Sequence, residues 1–181
     1  MTRKNRNKYI LIGIPDCGKS TLGRRVAETL NLPFYDTDLM ACERLGIKDP
    51  IDQLLANING SFVIAMQKVV DEIAVFDSAA VIATGAEVAL MPDCAVKLRQ
   101  MGTIIHIRRK SESILTDIAN GSSRFVLRDM DDGTEIGMRE RTVKLYAKEI
   151  SQYDALADVT LENDGTEDEG LEKLLALIKR E

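Results

Sequence analysis

The sequence predicts an α/β fold in which a parallel sheet of about five strands is covered by helices on both faces. Short apolar runs alternate along the chain with segments of helical periodicity, and this pattern is typical of parallel strands joined by right-handed crossovers. The runs are apolar almost throughout, as expected of strands that are buried on both faces. The 181 residues, 45% hydrophobic and 29% charged, have the length and composition of a single globular domain.

Each predicted element follows from a local pattern. The strands are predicted at Tyr9 to Ile14, Pro33 to Asp36, Ala79 to Thr84, Gly102 to Ile107 and Ala157 to Leu161. The helices are predicted at Ser20 to Leu30, Leu39 to Leu45, Pro50 to Asn57, Phe62 to Phe76, Asp93 to Met101, Ser111 to Ala119, Thr134 to Ser151 and over the final LEKLLALIK. The Asp49-Pro50 pair is typical of an N-cap followed by proline at the first helical position. Thr166 and Glu169 have capping-box spacing before the last helix.

Composition argues against several classes of protein. The net charge is −5 and the lysines and arginines are scattered, which argues against nucleic acid as a partner. No apolar run approaches the ~18 residues of a membrane span, and the basic start lacks the apolar core of a signal peptide, so a cytoplasmic protein is expected. Three distant cysteines and one histidine predict reduced thiols and no zinc site.

The stretch GIPDCGKS, Gly13 to Ser20, fits the phosphate-binding pattern G-x-x-x-x-G-K-[ST]. Its glycines let backbone N–H groups converge on a phosphate, and the helix that follows adds its positive N-terminal end. Lys19 is expected to reach the β- and γ-phosphates, and the Ser20 hydroxyl to hold Mg²⁺. The predicted ligand is ATP. The residues predicted to contact it here are Gly13, Asp16, Cys17, Gly18, Lys19, Ser20 and Thr21.

Two carboxylates, Asp36 and Asp38, follow the second predicted strand. The carboxyl ends of parallel strands meet at one edge, so both are expected near the phosphate loop. Asp36 would orient Mg²⁺ through a water, and Asp38 would accept a hydrogen bond and then a proton from a substrate hydroxyl. The alternative is that both are helix-capping or surface carboxylates.

Taken together, these stretches resemble the shikimate kinases. The resemblance rests on GIPDCGKSTLGRRVAETLNLPFYDTD, VIATGAEVAL, SSRFVL and ADVTLENDG, and it extends from about Tyr9 to the last helix. It implies a P-loop fold of the nucleoside-monophosphate-kinase type and transfer of the ATP γ-phosphate to a ring hydroxyl of shikimate. It also implies a substrate-binding helical segment at about 38–66. A mobile lid is implied at about 119–133, with Arg124 reaching over the phosphates as a catalytic and ATP-binding residue.

The chain departs from this family where the substrate is held. Three consecutive glycines of the family correspond here to Gly85-Ala86-Glu87, and two arginines that grip the shikimate carboxylate correspond to Val63 and Glu149. An arginine that stacks on adenine in many members corresponds to Asp117.

These departures predict an acceptor other than shikimate. Gly85, Glu87 and Glu149, together with Asp38, are expected to contact a neutral or amine-bearing alcohol, although Arg139 or Arg141 would be able to replace the lost arginines. Two alternatives remain open at this point, a nucleotide-binding paralogue with weak catalysis and a nucleoside-monophosphate kinase. A monomer or weak homodimer is expected. His106, which alternates with isoleucines, is expected to be a core histidine.

Overall fold

The computed structural model describes residues 7–48, 56, 59–119, 144 and 148–179, and within them five strands form one sheet. The strands are β1 (Lys8–Ile12), β2 (Phe34–Asp36), β3 (Ala80–Ala83), β4 (Gly102–Arg108) and β5 (Val159–Glu162). They lie in the order β2-β3-β1-β4-β5, and every neighbouring pair is parallel. The predicted five-stranded parallel sheet is confirmed, including the short PFYD strand.

The described helices follow the predicted pattern, apart from shifts at their ends, with two differences. They are α1 (Lys19–Leu30), α2 (Thr37–Leu45), α3 (Ser61–Ala74), α4 (Ala86–Leu90), α5 (Pro92–Met101), α6 (Ser111–Ala119) and α7 (Glu167–Ile178). The sequence did not predict α4, and the helix predicted to end at Ser151 continues in the described segment 148–156. The strand predicted to reach Ile14 ends at Ile12, because Gly13 turns the chain at φ +143°. The predicted helix Pro50 to Asn57, apart from Ala56, and the predicted lid, apart from Ala119, lie outside the described residues.

Local chemistry explains where several helices begin. The Asp36 side chain caps α2, and Pro92 occupies the first turn of α5, where its missing N–H costs no hydrogen bond. Thr166 and Glu169 form the predicted capping box of α7, so that two otherwise unpaired N–H groups are satisfied. The first turn of α1 contains no acidic side chain, so no carboxylate of that turn offsets the positive end of the helix.

The core lies on both faces of the sheet, with β1 at its centre. Ile10, Leu11 and Ile12 are fully buried, which is expected only when helices cover both faces. Helix α1 packs against α7, and helix α3 packs against α2, α4 and α5. The predicted three-layer α/β/α sandwich is therefore confirmed. Among the described residues, no helix has the length and hydropathy needed to cross a bilayer.

Candidate functional site

The candidate site lies at the carboxyl edge of the three strands β1, β3 and β2. Leu11 and Ala83 are register partners, and Ala83 is also the partner of Asp36. Since neighbouring strands lie about 4.8 Å apart, the segments that follow these three residues lie side by side. This places the phosphate loop, Gly85 and Asp38 at one edge, as the sequence predicted.

The backbone of the phosphate loop requires its two glycines. Gly13 has φ +143°, and a Cβ placed on it would lie 2.5 Å from the carbonyl oxygen of Ile107. Gly18 has φ +96°, and its Cβ would lie 2.6 Å from Nδ2 of Asn163. Both contacts are far inside van der Waals range, and both φ values favour glycine. Asp16 adopts φ +59° between them, so the chain curls as a phosphate-binding nest requires.

The Lys19 side chain folds back over this loop. It is 9% exposed, and its Nζ donates hydrogen bonds to the carbonyl oxygens of Gly13 at 2.8 Å and Ile14 at 2.7 Å. The Nζ also lies 3.6 Å from Sγ of Cys17, which is fully buried. An ammonium group is thereby held against the loop at the N-terminal end of α1, a combination suited to phosphate. Ser20 and Thr21 follow it in the first turn of α1.

The two carboxylate oxygens of Asp36 have different surroundings. It is 5% exposed, and Oδ1 accepts hydrogen bonds from the N–H groups of Asp38 at 3.1 Å and Leu39 at 3.3 Å. Its Oδ2 is buried and has no hydrogen-bond partner among the described residues. The capping alternative thus accounts for one oxygen only. A buried carboxylate oxygen without a partner is costly, and it fits a water bound to a metal ion.

Ser20 and Asp36 are suited to Mg²⁺ rather than to a metal enclosed by protein ligands. Mg²⁺ usually keeps several waters and takes one or two protein oxygens together with substrate phosphates. In the described part of the chain, His, Cys, Asp and Glu form no group of three or more with metal-binding geometry. The residues present therefore fit an ion that arrives with a nucleotide.

Asp38 lies against the turn that follows β3. A Cβ on Gly85 would lie 2.3 Å from Oδ1 of Asp38 and 2.6 Å from Sδ of Met66, so the absent side chain makes room for the carboxylate. The Gly85 N–H donates to Oγ1 of Thr37 at 2.7 Å, and Thr37 is fully buried. The sequence analysis did not predict a role for Thr37. Its position between Asp36 and Asp38 could have indicated that it lies at the site.

A second group of side chains surrounds Ala86. The Tyr153 hydroxyl lies 3.0 Å from the carbonyl oxygen of Ala86 and 3.1 Å from Oε2 of Glu149. Burial raises the pKa of Glu149, and the nearby Glu87 carboxylate also raises this pKa, while Tyr153, Lys148 and Lys19 lower it.

Of the predicted acceptor residues, Gly85 and Glu87 flank Ala86 in sequence, and Glu149 is linked to Ala86 through the Tyr153 hydroxyl. The exposed Glu87 is the outermost of these residues. The sequence analysis did not place Tyr153 at the site. Its i, i+4 spacing from Glu149 on a helix could have indicated that the two side chains meet.

His106 is a satisfied core residue behind the phosphate loop. Its Nδ1 lies 2.8 Å from Oδ1 of Asp154, and its ring lies 5.3 Å from that of Tyr153 between centroids. Burial lowers the pKa of His106, and the Asp154 carboxylate opposes this shift. The interpretation of His106 as a structural residue agrees with these contacts.

Arg109 joins the phosphate loop to α6. Its Nη1 donates to the carbonyl oxygen of Asp16 at 3.2 Å and to Oδ2 of Asp117 at 2.6 Å. In the shikimate kinases that the chain resembles, Asp117 corresponds to an arginine that stacks on adenine. Here its carboxylate forms an ion pair with Arg109. Arg124, Arg139 and Arg141 lie outside the described residues.

Comparisons by family model, by sequence and by structure each match shikimate kinases. The family model for shikimate kinase matches residues 15–179. A shikimate kinase of Clostridium botulinum (strain Alaska E43 / Type E3) is 32% identical over 173 residues, which cover 96% of this chain and 98% of the relative. The solved shikimate kinase of Bacteroides thetaiotaomicron has a TM-score of 0.81 at 20% identity and covers 95% of this chain and 98% of its own. That of Acinetobacter baumannii, solved in complex with shikimate, has a TM-score of 0.79 at 23% identity, with coverages of 98% and 95%.

Proposed function

The chain belongs to the shikimate kinase family, and we propose that it transfers the γ-phosphate of ATP to a hydroxyl group of a small molecule other than shikimate. The observation that carries this proposal is the meeting of a phosphate loop and the Asp38 carboxylate at one sheet edge. Phosphoryl transfer depends mainly on positioning and on charge stabilisation, and these residues supply both.

The nucleotide half of the site uses the loop after β1. Its backbone N–H groups and the N-terminal end of α1 would hold the phosphates, and Lys19 would move from the loop carbonyls to the β- and γ-phosphates. Ser20 and Asp36 would hold Mg²⁺, which neutralises charge on the phosphates when bound. Asp16, Cys17 and Thr21 complete the proposed contacts.

The transfer itself uses Asp38. The acceptor oxygen attacks the γ-phosphorus, the bond to the bridging β–γ oxygen breaks and ADP leaves with that electron pair. The hydroxyl proton passes to the Asp38 carboxylate. This carboxylate occupies the room left by the absent side chain of Gly85. On the resemblance, Arg124 would stabilise the charge on the transferred group.

The acceptor is proposed to be a neutral or amine-bearing alcohol. Val63 and Glu149 stand where the family has arginines that grip a carboxylate, and one hydrogen bond to a charged group contributes about 1.5–3 kcal/mol. Two lost contacts correspond to roughly 10²- to 10⁴-fold weaker binding of shikimate. Glu87 and Glu149 add repulsion against a carboxylate when they are ionised.

The test is a coupled ADP-release screen with Mg²⁺·ATP and three proteins, the wild type, Lys19→Ala and Asp38→Asn. The acceptor panel contains shikimate, sugars, polyols, amino alcohols and nucleoside monophosphates. We expect acceptor-dependent ADP release by the wild type with an alcohol, reduced about 10²- to 10⁴-fold in Asp38→Asn. ATP binding without release, turnover of nucleoside monophosphates alone, or full activity of Asp38→Asn would overturn the proposal. Efficient turnover of shikimate would overturn the acceptor assignment alone.

A further inference from the structure

We propose that Glu149 selects the acceptor through its own charge, holding a proton in the absence of a cationic group and releasing it to pair with the ammonium of an amine-bearing alcohol. This inference rests on the proposed function and names the substrate class of that site. It assigns Tyr153 the role of a positioning residue for Glu149.

The first observation is that the single hydroxyl hydrogen of Tyr153 faces two acceptor oxygens. Its hydroxyl lies within 3.1 Å of two oxygens, the carbonyl of Ala86 and Oε2 of Glu149, and it has one hydrogen to donate. With an ionised Glu149, two acceptors compete for this hydrogen. With a protonated Glu149, the carboxyl donates to the tyrosine oxygen and the tyrosine donates to Ala86, so that every contact contains a hydrogen.

Burial favours the same proton. Tyr153 is fully buried and Glu149 is half-buried, and desolvation is the main cause that raises the pKa of Glu149. The charged groups that face it are Lys148 on its own helix, Glu87 of α4 and Lys19 of α1. The Tyr153 hydrogen bond and the two lysines lower this pKa and Glu87 raises it, so burial is the main cause of the net upward shift.

The third observation is the position of this carboxyl beside the transfer site. Tyr153 contacts Ala86, Ala86 follows Gly85, and Gly85 leaves room for the Asp38 carboxylate. Glu149 also lies within electrostatic range of Lys19. Glu149 is thus linked to Asp38 through Tyr153, Ala86 and Gly85, and an acceptor whose hydroxyl reaches Asp38 is proposed to extend its other end toward Glu149.

Each class of acceptor meets a different form of Glu149. An ammonium group favours the carboxylate, so its binding releases a proton and strengthens as the pH rises through the pKa of Glu149. A neutral hydroxyl donates a hydrogen bond to the oxygen of the protonated carboxyl that does not carry the proton. A carboxylate is repelled by the ionised form, so its binding weakens over the same pH range.

The experiment uses three probes that share one ring. They are shikimate, the analogue in which a hydroxymethyl group replaces the carboxylate, and the analogue in which an aminomethyl group replaces it. Rates of ADP release give kcat/KM for each probe with the wild type, Glu149→Gln and the control Glu172→Gln, at an exposed glutamate of α7. We expect the wild type to prefer the amine, then the neutral alcohol, then the acid, and we expect Glu149→Gln to lower the ratio of amine to neutral alcohol about 10-fold or more.

Proton release supplies a readout that a purely structural role would not move. Calorimetry of amine binding in two buffers of different ionisation enthalpy, at pH values between about 5 and 8, measures the protons released per ligand. We expect up to one proton with the wild type and with Glu172→Gln, and none with Glu149→Gln. Tyr153→Phe removes the hydroxyl and retains the ring against His106, and we expect it to weaken the amine preference.

The outcomes separate the inference from the function on which it rests. If Glu149→Gln leaves the order of the three probes and the proton release unchanged, the inference is wrong. It is also wrong if the wild type prefers shikimate, or binds none of the three rings, while other alcohols still release ADP. Failure of the proposed function itself would appear as absence of acceptor-dependent ADP release across the whole panel.

Discussion

Replacement of Asp36 by asparagine separates the two roles of this residue. Asparagine retains Oδ1, which accepts the N–H groups of Asp38 and Leu39, and it replaces the buried Oδ2 with an amide NH₂. We therefore expect α2 to remain capped and the proposed Mg²⁺ contact to be lost. Asp36→Ala, which removes both oxygens, is the matched control.

The magnitudes follow from these contacts. Asparagine and aspartate are about equal as N-caps. Loss of the negative charge costs about 0.3–1 kcal/mol at a helix N-terminus. Relief of the desolvation of a buried carboxylate acts in the opposite direction and offsets the new amide NH₂, which is buried in the same place. The nucleotide-free Asp36→Asn protein should therefore unfold within about 1 kcal/mol of the wild type. Asp36→Ala should lose about 0.5–2 kcal/mol, or about 1–8 °C in Tm for a chain of this size.

The Mg²⁺-dependent part of nucleotide binding should behave differently. One hydrogen bond to a charged group is worth about 1.5–3 kcal/mol, so the affinity for Mg²⁺·ADP should fall about 10- to 100-fold in both variants. At saturating ligand this change lowers the stabilisation by Mg²⁺·ADP by about 1.4–2.7 kcal/mol. Binding of ADP in EDTA should stay near that of the wild type.

Thermal unfolding with and without ADP and Mg²⁺, together with calorimetry, measures each of these quantities. The reasoning is refuted if Asp36→Asn shows the full increase in ADP affinity that Mg²⁺ produces in the wild type. It is equally refuted if Asp36→Asn loses as much stability as Asp36→Ala without nucleotide, since Oδ1 would then not be the cap.

Three further substitutions test other contacts. Gly85→Ala places a Cβ 2.3 Å from Oδ1 of Asp38, about 1 Å inside ordinary contact, and we expect kcat with an accepted alcohol to fall about 10²-fold in steady-state assays, with ADP affinity unchanged. Asn163→Ala removes the 2.9 Å hydrogen bond to the carbonyl of Cys17, and calorimetric unfolding should show a loss of about 1–3 kcal/mol. Since burial lowers the pKa of His106, the unfolded chain binds its proton first, and stability should fall as the pH drops below about 6.5. His106→Gln should reduce this fall in urea titrations at several pH values.

Each of these three has an opposing result. Unchanged kcat in Gly85→Ala would place Asp38 away from the transferred phosphate. If Asn163→Ala is as stable as the wild type, the hydrogen bond from Asn163 to Cys17 does not stabilise the phosphate loop. Equal acid sensitivity of the wild type and His106→Gln would mean that Asp154 compensates the burial of the imidazole.

The strands and most helices were predictable because their patterns are local. Five apolar runs marked five strands, and the capping-box residues Thr166 and Glu169 marked the start of α7. The five-residue helix α4 was missed because it is too short to show helical periodicity. The helix end at Leu156 was missed because the polar residues after Ser151 weaken the apolar pattern that marks a buried face.

The parts of the candidate site that lie in one sequence motif or directly after one strand were predictable. The loop from Gly13 to Ser20 is contiguous in sequence, and Asp38 follows a predicted strand. The contact of Tyr153 with Ala86 joins residues 67 positions apart, and only the packing of segment 148–156 on the sheet creates it. For Asp36 the sequence predicts either metal support or helix capping. The structure shows the cap on Oδ1, and metal support by Oδ2 stays a prediction.

The strand order gives the two halves of the site unequal mechanical support. The loop proposed for the nucleotide follows β1, which is hydrogen-bonded on both sides, whereas Asp38 follows β2, at the margin of the sheet. We expect amide exchange to be slowest along β1 and faster along β2. Directed evolution toward a new alcohol should then accept mutations around β2 while the donor nucleotide continues to bind, so that donor use and acceptor choice evolve at separate rates.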